Sequence, residues 1–344
     1  MRHLSRQLGC LLAGGVLGVC LAATGQARPP HHTDDGFRNL EPTPQGGPTV
    51  TLPFFARRIW TNLWGREGTL ASVPNDGSVL RAWTGNPHAT ATWIGHSTVL
   101  VQMDRVTFLT DPIWSQRASP LSFAGPARYA PPAVALGSLP PIDFVVVSHS
   151  HYDHLDLDTL RLLSNGRTRF FVPLRQGALL RAHGIEPVEE LDWWESREIG
   201  GVTVHCVPAK HWSQRGLFDR NRALWSGWAV VGPTRRFYFA GDTGYFGAVT
   251  EIGSRLGPFG LAAVPIGAYD PPAMMQSVHL NPEEALQVGL DVRGERLLGV
   301  HYGTFDLTDE PFAEPPRRFR QAGDARALPN ERLWLPPLGE TRVW

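Results

Sequence analysis

Cysteine is scarce in this chain of 344 residues, which has only Cys10, Cys20 and Cys206. The first two lie in an N-terminal apolar segment. Cys206 is thus alone in the rest of the chain, and an internal disulfide there is excluded. An excess of one charge is also missing, because 32 Lys and Arg balance 32 Asp and Glu. A nucleic-acid binder held by a global positive field is therefore not expected. Internal repeats and low-complexity blocks are absent, and the N-terminal apolar segment is preceded by no twin-arginine pair. The one long apolar run, 8–23, is short for a full bilayer span.

That run has the layout of a secretory signal. Arg2 and Arg6 precede it, and Gly25-Gln26-Ala27 follows as a small-x-Ala cleavage site. Export to the periplasm is expected, with 1–27 as the signal peptide. An uncleaved anchor is the alternative, and Val19 disfavours lipidation at Cys20. Residues 28–50 are rich in Pro, Gly, His and Asp and read as a flexible linker, with His31 and His32 on a solvated tail. Residues 51–88 place Phe54, Phe55, Trp60, Trp64 and Trp83 among arginines. They read as an N-terminal extension of one or two helices packed on the core, with an apolar patch for peripheral membrane association. The remaining domain, 89–344, opens with a β-meander turning at Asp104-Arg105. With 12 Trp and 30 Pro in the chain, turns and long ordered loops are expected rather than a helical bundle.

The chemistry is concentrated in Ser148-His149-Ser150-His151-Tyr152-Asp153-His154. It follows an apolar run, 142–147, that reads as a buried strand. Imidazole and carboxylate suit zinc, and they would suit iron or manganese as well. Three more strand ends repeat the pattern: His211 after a strand through Val207, Asp242 after Phe237-Tyr238-Phe239-Ala240-Gly241, and His301 after 297–300. Four strand ends on one edge make one site. His149, His151 and His211 are expected to hold one ion. Asp153, His154 and His301 would hold a second, with Asp242 bridging and a water or hydroxide between. His96 and Asp111 are candidates for support behind the ligands. Cys206, in an alternating strand, reads as a buried structural thiol. The loop 115–132 carries Arg117 and Arg128, which with Tyr152 are candidates for substrate binding.

Several stretches together resemble the N-acylphosphatidylethanolamine-hydrolysing phospholipase D family of metallo-β-lactamase-fold hydrolases. They are Gly95-His96-Ser97-Thr98, Thr110-Asp111-Pro112, Arg117-Ala118-Ser119-Pro120, 148–155, 239–245, Pro265-Ile266-Gly267-Ala268-Tyr269 and His301-Tyr302-Gly303-Thr304-Phe305. His279, with Asn281-Pro282-Glu283-Glu284-Ala285, extends the likeness. Val278 departs from it, since the animal enzymes carry a polar amide there. The resemblance implies an α+β fold, an αβ/βα four-layer sandwich of two mixed β-sheets flanked by helices. It implies two zinc ions per chain and cleavage of a phospholipid or other phosphodiester on the head-group side. Asp153 and His279 are the implied catalytic residues, His279 orienting a phosphate oxygen or protonating the leaving group. Hydrolysis of a lactone or a small phosphodiester is the alternative that the same metals would serve.

Overall fold

The computed structural model describes residues 28–344, except 45, 65–67, 69 and 84–85, and the side chains of 62–64. The signal peptide expected at 1–27 lies outside the described residues. The body below runs from His31 to Trp344.

The first sheet contains β1 (Thr90–Gly95), β2 (Thr98–Met103), β3 (Val106–Thr110), β4 (Phe144–Val146), β5 (Arg169–Pro173) and β6 (Val188–Leu191). The second contains β7 (Ser196–Ile199), β8 (Val202–Val207), β9 (Gly227–Val231), β10 (Arg236–Phe239), β11 (Phe259–Pro265), β12 (Gly294–Val300) and β13 (Leu333–Trp334). A last strand, β14 (Thr341–Val343), returns to the first sheet beside β1. The orders are β14-β1-β2-β3-β4-β5-β6 and β13-β12-β11-β10-β9-β8-β7. Both sheets are mixed: β3 to β6 run parallel, as do β10 to β13, while the other neighbours pair antiparallel.

Strands buried on both faces explain why the central segments read as continuous apolar runs. Alternation still sorts their side chains, because successive residues point to opposite faces. Val99, Val101, Phe108, Phe144 and Phe171 enter the core shared with the second sheet. Leu100, Leu109, Val145, Phe170 and Val172 face the outer helices instead. The helices in chain order are α1 (Pro48–Trp64), α2 (Ser78–Arg81), α3 (Leu157–Leu163), α4 (Gly177–Ala182), α5 (Ala248–Leu256), α6 (Pro272–Met275), α7 (Pro282–Asp291) and α8 (Glu314–Asp324). Leu80, Leu160 and Leu180 bring α2, α3 and α4 onto the first sheet. Ile252, Leu286 and Phe319 bring α5, α7 and α8 onto the second. The result is the four-layer α+β sandwich implied by the sequence resemblance.

Local chemistry explains the element ends. Asp104 and Arg105 adopt φ of 45° and 73°, the left-handed pair a tight hairpin needs. Asn281 and Glu284 form a reciprocal capping box at the start of α7, with Pro282 in the first turn. Phe144 shows how the inter-sheet layer is held. It is fully buried, stacks on Phe108 at 4.6 Å and meets Phe171 edge-on at 5.7 Å. Phe144→Ala should therefore destabilise the protein by about 3–5 kcal/mol in denaturant unfolding. A loss below about 1 kcal/mol would mean that the layer repacks.

Two stretches differ from, or sharpen, the sequence reading. The segment 31–41 is not the flexible linker its composition suggests: His31 and Phe37 are buried, and both His31 and His32 bond Asp192. Composition averages over residues, and a single buried aromatic can anchor a polar strap. Helix α1, which begins inside the expected linker at Pro48, turns Phe54 and Arg58 inward. Arg58 pairs with Asp306 at 2.7 Å and Asp309 at 2.8 Å. Its outer face exposes Leu52, Phe55, Ile59 and Trp60. Among the described residues, no helix is long and apolar enough to cross a membrane. Cys206 is a buried free thiol, as expected.

Candidate metal centre

The ligand candidates converge on one edge of the sandwich. His149, His151, Asp153 and His154 occupy the loop after β4, His211 follows β8, Asp242 follows β10 and His301 follows β12. Gly241 allows Asp242 to reach the edge. Its φ is 60°, and a Cβ there would lie 2.7 Å from the Ser148 side chain and 2.8 Å from the Ser226 carbonyl. His301 also takes a left-handed φ of 62°, held by its N–H donating to the His96 carbonyl at 3.0 Å.

Two groups of ligand atoms result. In the first, His151 Nδ1 lies 2.7 Å from His149 Nε2 and 3.2 Å from His211 Nε2. In the second, His154 Nε2 lies 3.1 Å from His301 Nε2 and 3.2 Å from Asp153 Oδ2. Asp242 stands between them. Its Oδ2 is 3.2 Å from His154, 3.7 Å from His211 and 4.0 Å from His149, while its Oδ1 is 3.1 Å from His301. Ring nitrogens that face ring nitrogens across a buried carboxylate are the donor set of borderline divalent cations. The residues present fit such a pair of ions.

Hydrogen bonds behind the ligands choose which nitrogen faces inward. Asp111 accepts from Ser148 N–H, Ser148 Oγ–H and His154 Nδ1–H, each at 2.6 Å, leaving His154 Nε2 for the centre. His211 Nδ1 donates to the Val278 carbonyl at 2.9 Å. That contact uses the backbone, so a valine serves there as well as an amide. His96 Nε2 bonds Asp153 Oδ2 at 3.0 Å and so supports the second group. The sequence missed Asn39. Its amide donates to the His211 carbonyl at 2.7 Å and accepts the His211 N–H at 3.1 Å. No local signal marks a contact across 172 residues. Asn39→Ala should weaken metal binding about 10–100-fold with the fold intact, as read by chelator competition. Unchanged affinity would show that the end of β8 holds His211 unaided.

Electrostatics divides the same groups. Burial keeps the His149 and His211 imidazoles well below their ordinary value and puts His151 at about 4, so all three are neutral at pH 7. Burial alone would raise the carboxyls of Asp153 and Asp242. The surrounding imidazoles, His154 foremost, outweigh it and hold both well below the carboxylate range. Burial opposes charge on His154 and His301 as well, yet the carboxylates, Asp242 foremost, lift His301 to about 9 and His154 well above its ordinary value.

His279 forms a further group of possible ligand atoms with His211 and Asp242. Its Nδ1 is 3.8 Å from Asp242 Oδ2, and its ring is 5.0 Å from that of His211. Burial lowers it to about 4, so it is a neutral imidazole at pH 7 and not a ready imidazolium. Arg128 holds the loop that carries it. Its guanidinium donates to the carbonyls of Ser115, Ile113 and Ala130 and lies over Phe305, so three of its five N–H groups brace the loop. Arg117 and Tyr152 line a cavity of about 810 Å³ beside the metal loop, which they share with Ser150 and Arg215. Arg117 also donates to the Gly125 carbonyl, and Tyr152 to the Arg215 carbonyl. None of the ligand candidates lines that cavity.

Comparison with known proteins agrees with this fold. Residues 106–302 match the beta-lactamase superfamily domain. The N-acyl-phosphatidylethanolamine-hydrolyzing phospholipase D 1 of Caenorhabditis elegans is 49% identical over 249 residues, covering 69% of this chain and 70% of the relative. An uncharacterised protein of Mycobacterium tuberculosis is 40% identical over 327 residues, 91% of this chain and 86% of its own. Among solved structures, the metallo hydrolase Igni18 from Ignicoccus hospitalis superposes with a TM-score of 0.57 at 23% identity, covering 74% of this chain and 98% of that one, which shows the fold. The chain therefore belongs to the metallo-β-lactamase superfamily of metal-dependent hydrolases and, within it, to the family of the N-acylphosphatidylethanolamine-hydrolysing phospholipases D.

Proposed function

We propose that the protein is a di-zinc phosphodiesterase that cleaves a phospholipid on the head-group side of its phosphodiester, in the manner named for its nematode relative. The observation that carries the reading is Asp242, whose carboxylate faces both groups of imidazoles and so suits paired ions. Bound there, paired zinc ions supply a water acidic enough to act near neutral pH and positive charge for the phosphate oxygens.

The chain's own residues do the rest. Asp111 and the Val278 carbonyl hold His154 and His211 in the tautomers that present Nε2. Asp153 and Asp242 stay ionised and so are available to offset the charge of cations held there. His279, neutral at pH 7, orients a phosphate oxygen through its ring N–H or relays to the leaving oxygen a proton taken up from the attacking water. Leu52, Phe55, Ile59 and Trp60, exposed along α1, support docking on a lipid surface, and the N-terminal sequence supports action in the periplasm.

The test combines metal analysis with a substrate panel: N-acylphosphatidylethanolamine, phosphatidylethanolamine, bis(p-nitrophenyl) phosphate and acyl lactones. Zinc loading with release of a head-group alcohol and phosphatidic acid is the expected result. A zinc-loaded protein that opens lactones and leaves every phosphodiester intact would overturn the substrate class. A protein that takes up no transition metal would overturn the whole reading.

A further inference from the structure

The strap and the turn after β6 bring together a second set of donors that shares no residue with the catalytic centre. His31 Nε2 lies 2.6 Å from Asp192 Oδ1, and His32 Nε2 lies 2.7 Å from Asp192 Oδ2. All three ligand atoms fall within 4.8 Å of one another. The rings are held in place from behind. His31 stacks on Trp193 at 4.2 Å, and His32 sits edge-on to Phe37 at 5.1 Å. Trp193 N–H also donates to Asp192 Oδ1 at 2.8 Å, which fixes the carboxylate. No arginine or lysine pairs with Asp192 among the described residues. Arg175, which reaches the strap from the turn after β5, lies over the Phe37 ring and donates to the Asp35 carbonyl.

We propose that His31, His32 and Asp192 form a further metal site, which takes a borderline divalent cation such as Zn²⁺. Two imidazoles and one carboxylate supply three corners of a tetrahedron. The His32 and Asp192 side chains remain 22% and 16% exposed, so water can supply the fourth and the ion has a way in. Zinc bonds of about 2.0–2.1 Å set neighbouring ligand atoms roughly 3.3 Å apart. The rings need part from the carboxylate by only about 0.6–0.7 Å to accept it. Its effect would be to pin the strap to the second sheet's leading turn, a few residues before Asn39 meets His211.

A hydrogen-bonded clamp of the same three side chains is the competing account, and zinc stoichiometry separates the two. Full-length protein is dialysed to equilibrium against Zn²⁺ alone, beside His32→Gln and Asp192→Asn. Glutamine keeps a donor for Asp192 but is a poor zinc ligand. Each variant should bind one zinc fewer than the wild type, with an unchanged circular dichroism spectrum. The readout is this difference, so it is independent of how many ions the catalytic centre takes. Equal zinc counts in all three proteins would overturn the proposal and leave the clamp. If either variant misfolds, loss of one zinc in the other, folded variant supports the site, and an unchanged count in it removes the site.

Discussion

Asp242→Asn should deplete both groups of ligands at once, which no other single substitution at this centre is expected to do. One carboxylate oxygen faces His154, His211 and His149, and the other faces His301. The amide that replaces it is neutral, has only one acceptor oxygen, and would leave paired cations poorly screened from each other. The loss of metal affinity should exceed the roughly 10–100-fold expected when only a partner behind a ligand is removed. His149→Ala should differ, weakening its own group far more than the group around Asp153. The measurements are metal content by elemental analysis and affinity by chelator competition. A fully loaded Asp242→Asn protein would remove Asp242 from the bridging position.

His279→Ala should keep near-normal metal content and fold while activity falls by about 10²–10⁴-fold, the usual contribution of a positioned acid or base. The residue approaches Asp242 to 3.8 Å and shares a possible ligand group with His211, so metal content separates a role toward substrate from a role as ligand. The loss should shrink for a p-nitrophenyl phosphodiester, whose leaving group scarcely needs a proton. Equal losses on activated and unactivated substrates would remove proton transfer and leave binding. Loss of metal would place His279 among the ligands, beside His211 and Asp242. Full activity on both substrates would make it an ordinary buried histidine.

The element ends near the site were largely legible in the sequence. Asp156, a residue type that caps helices, marks the start of α3. The Asp104-Arg105 turn and the strand ends before Asp242 and His301 also stand where the apolar runs stop. Arg128 was not legible. An arginine in a long loop is equally suited to a phosphate or to backbone carbonyls, and only the path of the 115–132 loop committed it to Ser115, Ile113 and Ala130.

By itself, the sequence determined the donor types and their order along the chain. Each ligand-bearing stretch comes after a short apolar run, and such a run is a local signal of a buried strand with an exposed end. Only the tertiary structure decided which ring nitrogen each histidine turns inward: Nδ1 for His151, and Nε2 for His149, His154, His211 and His301. It alone closed the strap onto Asp192 and set Asn39 against His211. Those contacts join residues 161 and 172 positions apart. A hydrogen bond at that separation leaves no period or spacing in the sequence, because its geometry exists only once both sheets have packed.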